Sequence, residues 1–179
     1  MKYSFINNYI EKQILEYEYE LNKSLNCISF LVAVSGGLDS IVLLDLLINL
    51  RKKYHYTLAC AYINYNTSIY SSQAHEYCKK YAIDNNVEYY TKSCKIEKNN
   101  FESRARAFRY TYLNHIARER SYDFIVTAHH FDDQIETIFM KIQDNSDWIG
   151  KIGIRQKYGI IRRPLLNITK NIILEYAKE

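Results

Sequence analysis

Apolar residues recur along this chain in two rhythms. Between residues 3 and 21, Phe5, Ile6, Tyr9, Ile10, Ile14, Tyr17 and Leu21 are spaced by threes and fours, the period of one helical face. From Ile28 to Val34 the apolar residues are continuous and β-rich, over a length that suits a buried strand. Ile41 to Ile48 is Leu-rich and predicts a buried helix reaching about Lys53. The same alternation continues. Strands are predicted over 57–64, 87–93 and 123–128, with a short fifth over 158–161 before Pro164. Helices are predicted over 71–85, 101–120 and 132–142, and Thr169 is placed to cap a last one. Strands alternating with helices require a parallel sheet with both faces covered. The expectation is therefore an α/β domain over residues 1–179, a doubly wound parallel sheet of about five strands. In such sheets ligands bind beyond the carboxyl ends of the strands.

Composition narrows the setting. At 179 residues the chain is long enough for one domain with its own core, and 47% hydrophobic with 25% charged residues is a globular balance. Lys2 is followed by no apolar leader stretch, and no apolar run approaches the ~18 residues of a membrane span. A cytoplasmic protein with no membrane partner is expected. Cys27, Cys60, Cys78 and Cys94 are widely spaced with no CxxC pair, so each is expected as a buried free thiol. A net charge of +4 permits a nucleic-acid partner without arguing for one. The eighteen tyrosines accompany an excess of Asn, Ile and Lys and read as compositional drift, not as a stacking surface.

Three stretches carry candidate chemistry. Ser35-Gly36-Gly37-Leu38-Asp39-Ser40 lies between the first strand and a helix. That order aims backbone N–H groups and the positive end of a helix dipole at one point, which suits a phosphate or pyrophosphate. Two glycines allow an anion close to the main chain. Ser35 and Ser40 add hydroxyls, and Asp39 can hold a metal ion or an amine. The ordinary reading, a capped turn between strand and helix, competes with this one.

Thr127 to Thr137 leaves a strand and enters a helix with His129, His130, Asp132, Asp133 and Glu136. N-capping explains one acid but not the set. Asp133 and Glu136 share a helical face, as do Asp132 and Glu136. Carboxylates facing a phosphate site need a cation between them, either Mg²⁺ riding on the phosphates or a substrate ammonium. Asp39 and Asp132 are the expected metal-side carboxylates. In the third stretch, Arg106 and Arg109 lie on one side of a basic helix. A solvated face is the plain reading; the alternative turns one of them, Arg109 ahead of Arg106, towards charge developing on a transferred group.

These residues resemble a known family. Ser35–Ser40 is similar to the pyrophosphate loop of N-type ATP pyrophosphatases, the PP-loop enzymes, which include GMP and NAD synthetases and tRNA thiolases. The string Ala128 to Thr137 (AHHFDDQIET), the segment Ala105 to Leu113 and Arg163-Pro164-Leu165-Leu166 together resemble tRNA(Ile)-lysidine synthetases, over about residues 28 to 178. The resemblance implies an adenine nucleotide alpha-hydrolase-like fold and a ligase using ATP and Mg²⁺. ATP adenylates the wobble cytidine of tRNA(Ile) with loss of pyrophosphate, and the amine of L-lysine then displaces AMP. It implies that Ser35, Gly36, Gly37, Leu38, Asp39 and Ser40 bind phosphates, with adenine against Ala33 and Ile63. His129 and Arg109 would attend the transferring AMP, and Asp133 and Glu136 would hold lysine.

The chain departs from the family pattern in three places. Asn64-Tyr65-Asn66 stands where the family has His-Gly, and Asp144-Asn145-Ser146-Asp147 replaces a basic, glycine-rich turn with an acidic one. The sequence also stops at Glu179, before the segment that completes the family's catalytic domain. The alternatives are an ATP-binding module without catalysis, or another PP-loop tRNA-modifying enzyme. A thiolase of the type that needs a CxxC pair lacks that pair here, and glutamine-dependent synthetases lack the double-His string. A homo-oligomer is compatible with the sequence.

Overall fold

The computed structural model describes residues 4–66, 69–96, 99–143 and 153–178. The elements run α1 (Ser4–Leu21), β1 (Ser29–Val34), α2 (Leu38–Tyr54), β2 (Thr57–Asn64), α3 (Ile69–Asp84) and β3 (Glu88–Ser93). They continue as α4 (Phe101–Glu119), β4 (Phe124–Val126), α5 (Phe131–Gln143), β5 (Lys157–Tyr158), β6 (Ile161–Arg162) and α6 (Lys170–Ala177). The acidic 144–147 stretch lies outside the described residues. No described helix is long and apolar enough to cross a membrane.

The strands form one six-stranded sheet in the order β3-β2-β1-β4-β6-β5. Every neighbouring pair is parallel except β5 and β6. The expected strand over 158–161 is thus a correction. It is two short antiparallel strands, because Gly159 at φ +53° lets the chain reverse within two residues. Two-residue strands give no periodicity to read.

Residue alternation divides β1 between two cores. Phe30, Val32 and Val34 face the layer holding α1, α2 and α6, while Leu31 faces Leu113, Ile116 and Ala117 of α4. On α1, Ile6, Ile10, Ile14 and Tyr17 are buried, whereas Phe5, expected on the same face, is exposed. Tyr17 packs on Phe124 with ring centroids 4.9 Å apart, and Phe30 meets Tyr56 edge-on at 4.9 Å. Several tyrosines are therefore core residues. Cys60 and Cys78 are buried as expected, but Cys27 is exposed and Cys94 half-buried.

The connections fix where a ligand can sit. From β1 the chain crosses through α2 to β2, then through α3 to β3, at one end of the sheet. It returns through α4 to β4, on the other side of β1. The direction of winding therefore switches between β1 and β4, and loops leaving those two strands splay apart to leave a crevice.

Candidate active site

The turn after β1 is built for close approach. Gly36 adopts φ +79°, and a Cβ there would lie 2.6 Å from the Cβ of Ala74 on α3. Only glycine satisfies both constraints. The amide N–H of Ser35 donates to Ser40 Oγ at 3.1 Å, and that of Gly37 donates to Ser35 Oγ at 3.3 Å. Ser40 Oγ in turn donates to the Gly37 carbonyl at 2.8 Å. Hydroxyls thus receive amide hydrogens here, and the first N–H groups of α2 lack acceptors within the helix. An anion placed here would meet the same amide donors, with the α2 dipole behind them.

Two adjoining clefts open on this turn. One, of about 360 Å³, is walled by Ala33 and Ile63 from the strands, Gly36 and Gly37 from the turn, and Tyr65 and Arg109 opposite. The other, of about 280 Å³, holds Ser35, Asp39, Ser40, Arg109, His129 and Asp133. Ala33, Val34, Ser35 and Arg109 line both, so the clefts are continuous past the Arg109 side chain. The first falls in the size range of small-molecule sites and is lined mainly by apolar groups with a polar end. The turn after β1 and the loop after β4 therefore share one crevice.

Leu38 faces elsewhere, into a groove with Tyr77 and Tyr81, while its neighbour Asp39 faces the crevice. Asp39 is paired with the ammonium of Lys170 at the start of α6. The backbone N–H of Lys170 donates to Asp132 Oδ2 at 2.8 Å, so Asp132 caps α6. Asp133 Oδ2 accepts the N–H of His130 at 2.8 Å, closing the first turn of α5. The His130 ring is buried between three carboxylates, 3.8 Å from Asp39, 3.7 Å from Asp132 and 3.7 Å from Asp133. It is the hub joining the two loops, and its Nδ1 has no hydrogen-bond partner.

His129 is half-buried at the crevice wall, its Nδ1 2.9 Å from Thr127 Oγ1, which leaves Nε2 for a ligand. Burial first, then the nearby guanidinium of Arg163, push its pKa down to about 4, with Arg106 and Arg109 adding to the effect. The ring is neutral at pH 7 and can accept a proton or a hydrogen bond there.

Of the sequence-predicted residues, the crevice brings together Ser35, Gly36, Gly37, Asp39, Ser40, Ala33, Ile63, Arg109, His129 and Asp133. Glu136 is exposed on α5 and lines neither cleft, so the expected Asp133/Glu136 pair does not meet there. Three residues apart on α5, the two side chains diverge by most of a right angle, enough to send one to the crevice and the other to solvent. Asp132 is committed to α6. Among the described residues no group of three or more His, Cys, Asp or Glu side chains forms a metal cage. Asp39 and Asp133 are the carboxylates lining the second cleft, and a divalent ion there would need phosphate oxygens to complete its shell. Lys170 was missed from the sequence, since nothing in its spacing ties it to a residue 131 positions earlier. Arg163 was seen only as part of the Arg-Pro-Leu-Leu string.

Residues 7–179 match the family model for the PP-loop domain. The tRNA(Ile)-lysidine synthase of Streptococcus mutans is 35% identical over 95% of this chain, and that of Chlorobaculum tepidum 34% identical over 96%. The chain spans 39% and 54% of the length of those two relatives. Among solved structures, a U34-tRNA thiolase of Methanococcus maripaludis superposes with a TM-score of 0.73 at 20% identity, covering 95% of this chain and 62% of that one. A glutamine-dependent NAD⁺ synthetase of Acinetobacter baumannii gives 0.64 at 13% identity, covering 99% of this chain and 33% of that one. At such identities these two likenesses concern the fold.

Proposed function

This chain belongs to the PP-loop domain family, and from that premise we propose that it is the ATP-binding catalytic domain of an enzyme that attaches L-lysine to the wobble cytidine of tRNA(Ile). The observation that carries the reading is the single crevice shared by the Ser35–Ser40 turn, Arg109, His129 and Asp133. In this reading adenine lies against Ala33 and Ile63, and the phosphates meet the amides and hydroxyls of the turn. Mg²⁺ would neutralise charge on the phosphates, and Asp39 is the carboxylate that would help hold it. The cytidine oxygen displaces pyrophosphate from ATP; the lysine amine then displaces AMP, forming a carbon–nitrogen bond. Arg109 holds the phosphoryl oxygens as charge develops, and neutral His129 accepts a hydrogen bond or proton beside them. Asp133 offers the lysine ammonium a carboxylate. Little covalent chemistry is asked of the protein; positioning and charge supply the rate.

The exposure of Glu136 favours a second reading, an ATP-binding PP-loop module that modifies tRNA differently or acts without lysine. Incubation with ATP, L-lysine and a tRNA(Ile) transcript separates the two. The proposal predicts pyrophosphate release that requires tRNA, and AMP release that requires both tRNA and lysine. Nucleotide binding without that double requirement would leave the module.

A further inference from the structure

Arg162 and Arg163 are adjacent, both buried, and treated differently. Arg162 has its charge answered by an ion pair to Glu20, and its guanidinium lies 4.4 Å above the Phe124 ring. Arg163 is 4% exposed and has no carboxylate partner among the described residues. Its Nη1 donates to the Arg155 carbonyl at 2.6 Å and its Nη2 to the Tyr110 hydroxyl at 3.2 Å, while Nε has no partner. A buried guanidinium answered only by neutral dipoles is costly unless an anion joins it.

The anion has a place to sit. Arg163 lines a groove of about 300 Å³ in which three further cations, Arg106, Lys141 and Arg155, stand beside Thr137 and Tyr158. Arg106 lies over the Tyr110 ring at 5.2 Å, and Tyr110 is also a wall of the His129 cleft. The groove is therefore separated from the crevice by one aromatic ring. Arg163 lines neither cleft on the Ser35–Ser40 turn.

We propose that this groove binds a phosphodiester of a polynucleotide, holding the strand beside the crevice while one base enters it. The proposal rests on the reading of the substrate as RNA. A phosphate meets Arg163 at the floor and Arg106, Lys141 and Arg155 at the rim, with Thr137 offering a hydroxyl. Contacts of this kind position a strand without reading its sequence.

The test is anisotropy titration of an anticodon stem-loop RNA of tRNA(Ile) between ~50 and ~200 mM salt. It compares the wild-type chain with Arg106→Gln/Arg155→Ala, two exposed positions that leave Arg163 and the core in place. The expected result is at least a tenfold loss of RNA affinity at low salt. The slope of log K against log[salt] should also become shallower by ~1 to 2, one released counterion for each lost cation. An affinity and slope equal to wild type, no binding by the wild type, or a loss confined to ATP affinity would each overturn the groove. The outcomes stay separable from those of the proposed reaction. A shallower slope without lysine-dependent AMP release keeps the groove and removes the reaction; AMP release with an unchanged slope does the reverse.

Discussion

At the scale of single residues, His129 shows how the site's charge is set. The loop after β4 seats the ring against Thr127, and burial together with three arginines holds it neutral. The sign of the consequence follows by linkage. Its folded pKa of about 4 lies below the ordinary 6.5, so the unfolded chain takes up the proton first. Stability from this group is complete above pH 6.5 and is lost as pH falls from 6.5 towards 4. An NMR titration should find the His129 imidazole proton moving with a midpoint near 4, and higher once ATP is bound, because phosphate charge favours imidazolium. A midpoint near 6.5 in the free protein would show that neither burial nor the arginines hold the ring neutral. His129→Gln should remove its share of the acid slope. The residue identities at this site were largely legible beforehand: Gly36, Asp39 and His129 sit in strings whose chemistry can be read. Lys170 and Arg163 were not, because their roles come from the fold bringing distant segments together.

At the scale of elements, the first turn of α5 does two jobs that its sequence merges. Asp132 and Asp133 are adjacent and alike, yet Asp132 accepts the first N–H of α6 while Asp133 faces the crevice. Asp132→Ala should therefore cost about 1 kcal/mol of stability, the loss of a helix cap, and leave ATP turnover within a few fold. Asp39→Ala should instead abolish turnover while the chain still folds. Denaturant unfolding and ATP–pyrophosphate exchange on both variants check this; equal loss of activity in the two would return Asp132 to a metal role. The long elements were visible in the sequence because their apolar periods extend over many residues. The β5–β6 hairpin was not, since its strands are two residues each and its reversal depends on Gly159. Glu136 was misplaced for a related reason: helical spacing puts it near Asp133 but does not say which side of α5 faces the crevice.

At the scale of the molecule, the candidate site residues of both clefts gather where the winding of the sheet reverses. β1 delivers the turn at Ser35 and β4 delivers His129; these strands are hydrogen-bonded neighbours although nearly a hundred residues separate them. The alternation of strands and helices already implied a rim for both loops. Strand order, which the sequence does not show, makes them adjacent. In the proposed reading the two loops form one nucleotide site, and backbone amides followed in a heteronuclear NMR titration with Mg²⁺–ATP report on it. Concerted, saturable shifts are expected at Gly36, Gly37, Asp39, Arg109 and His129, with one apparent Kd. Shifts confined to the turn after β1, or centred on residues outside both clefts, would contradict it.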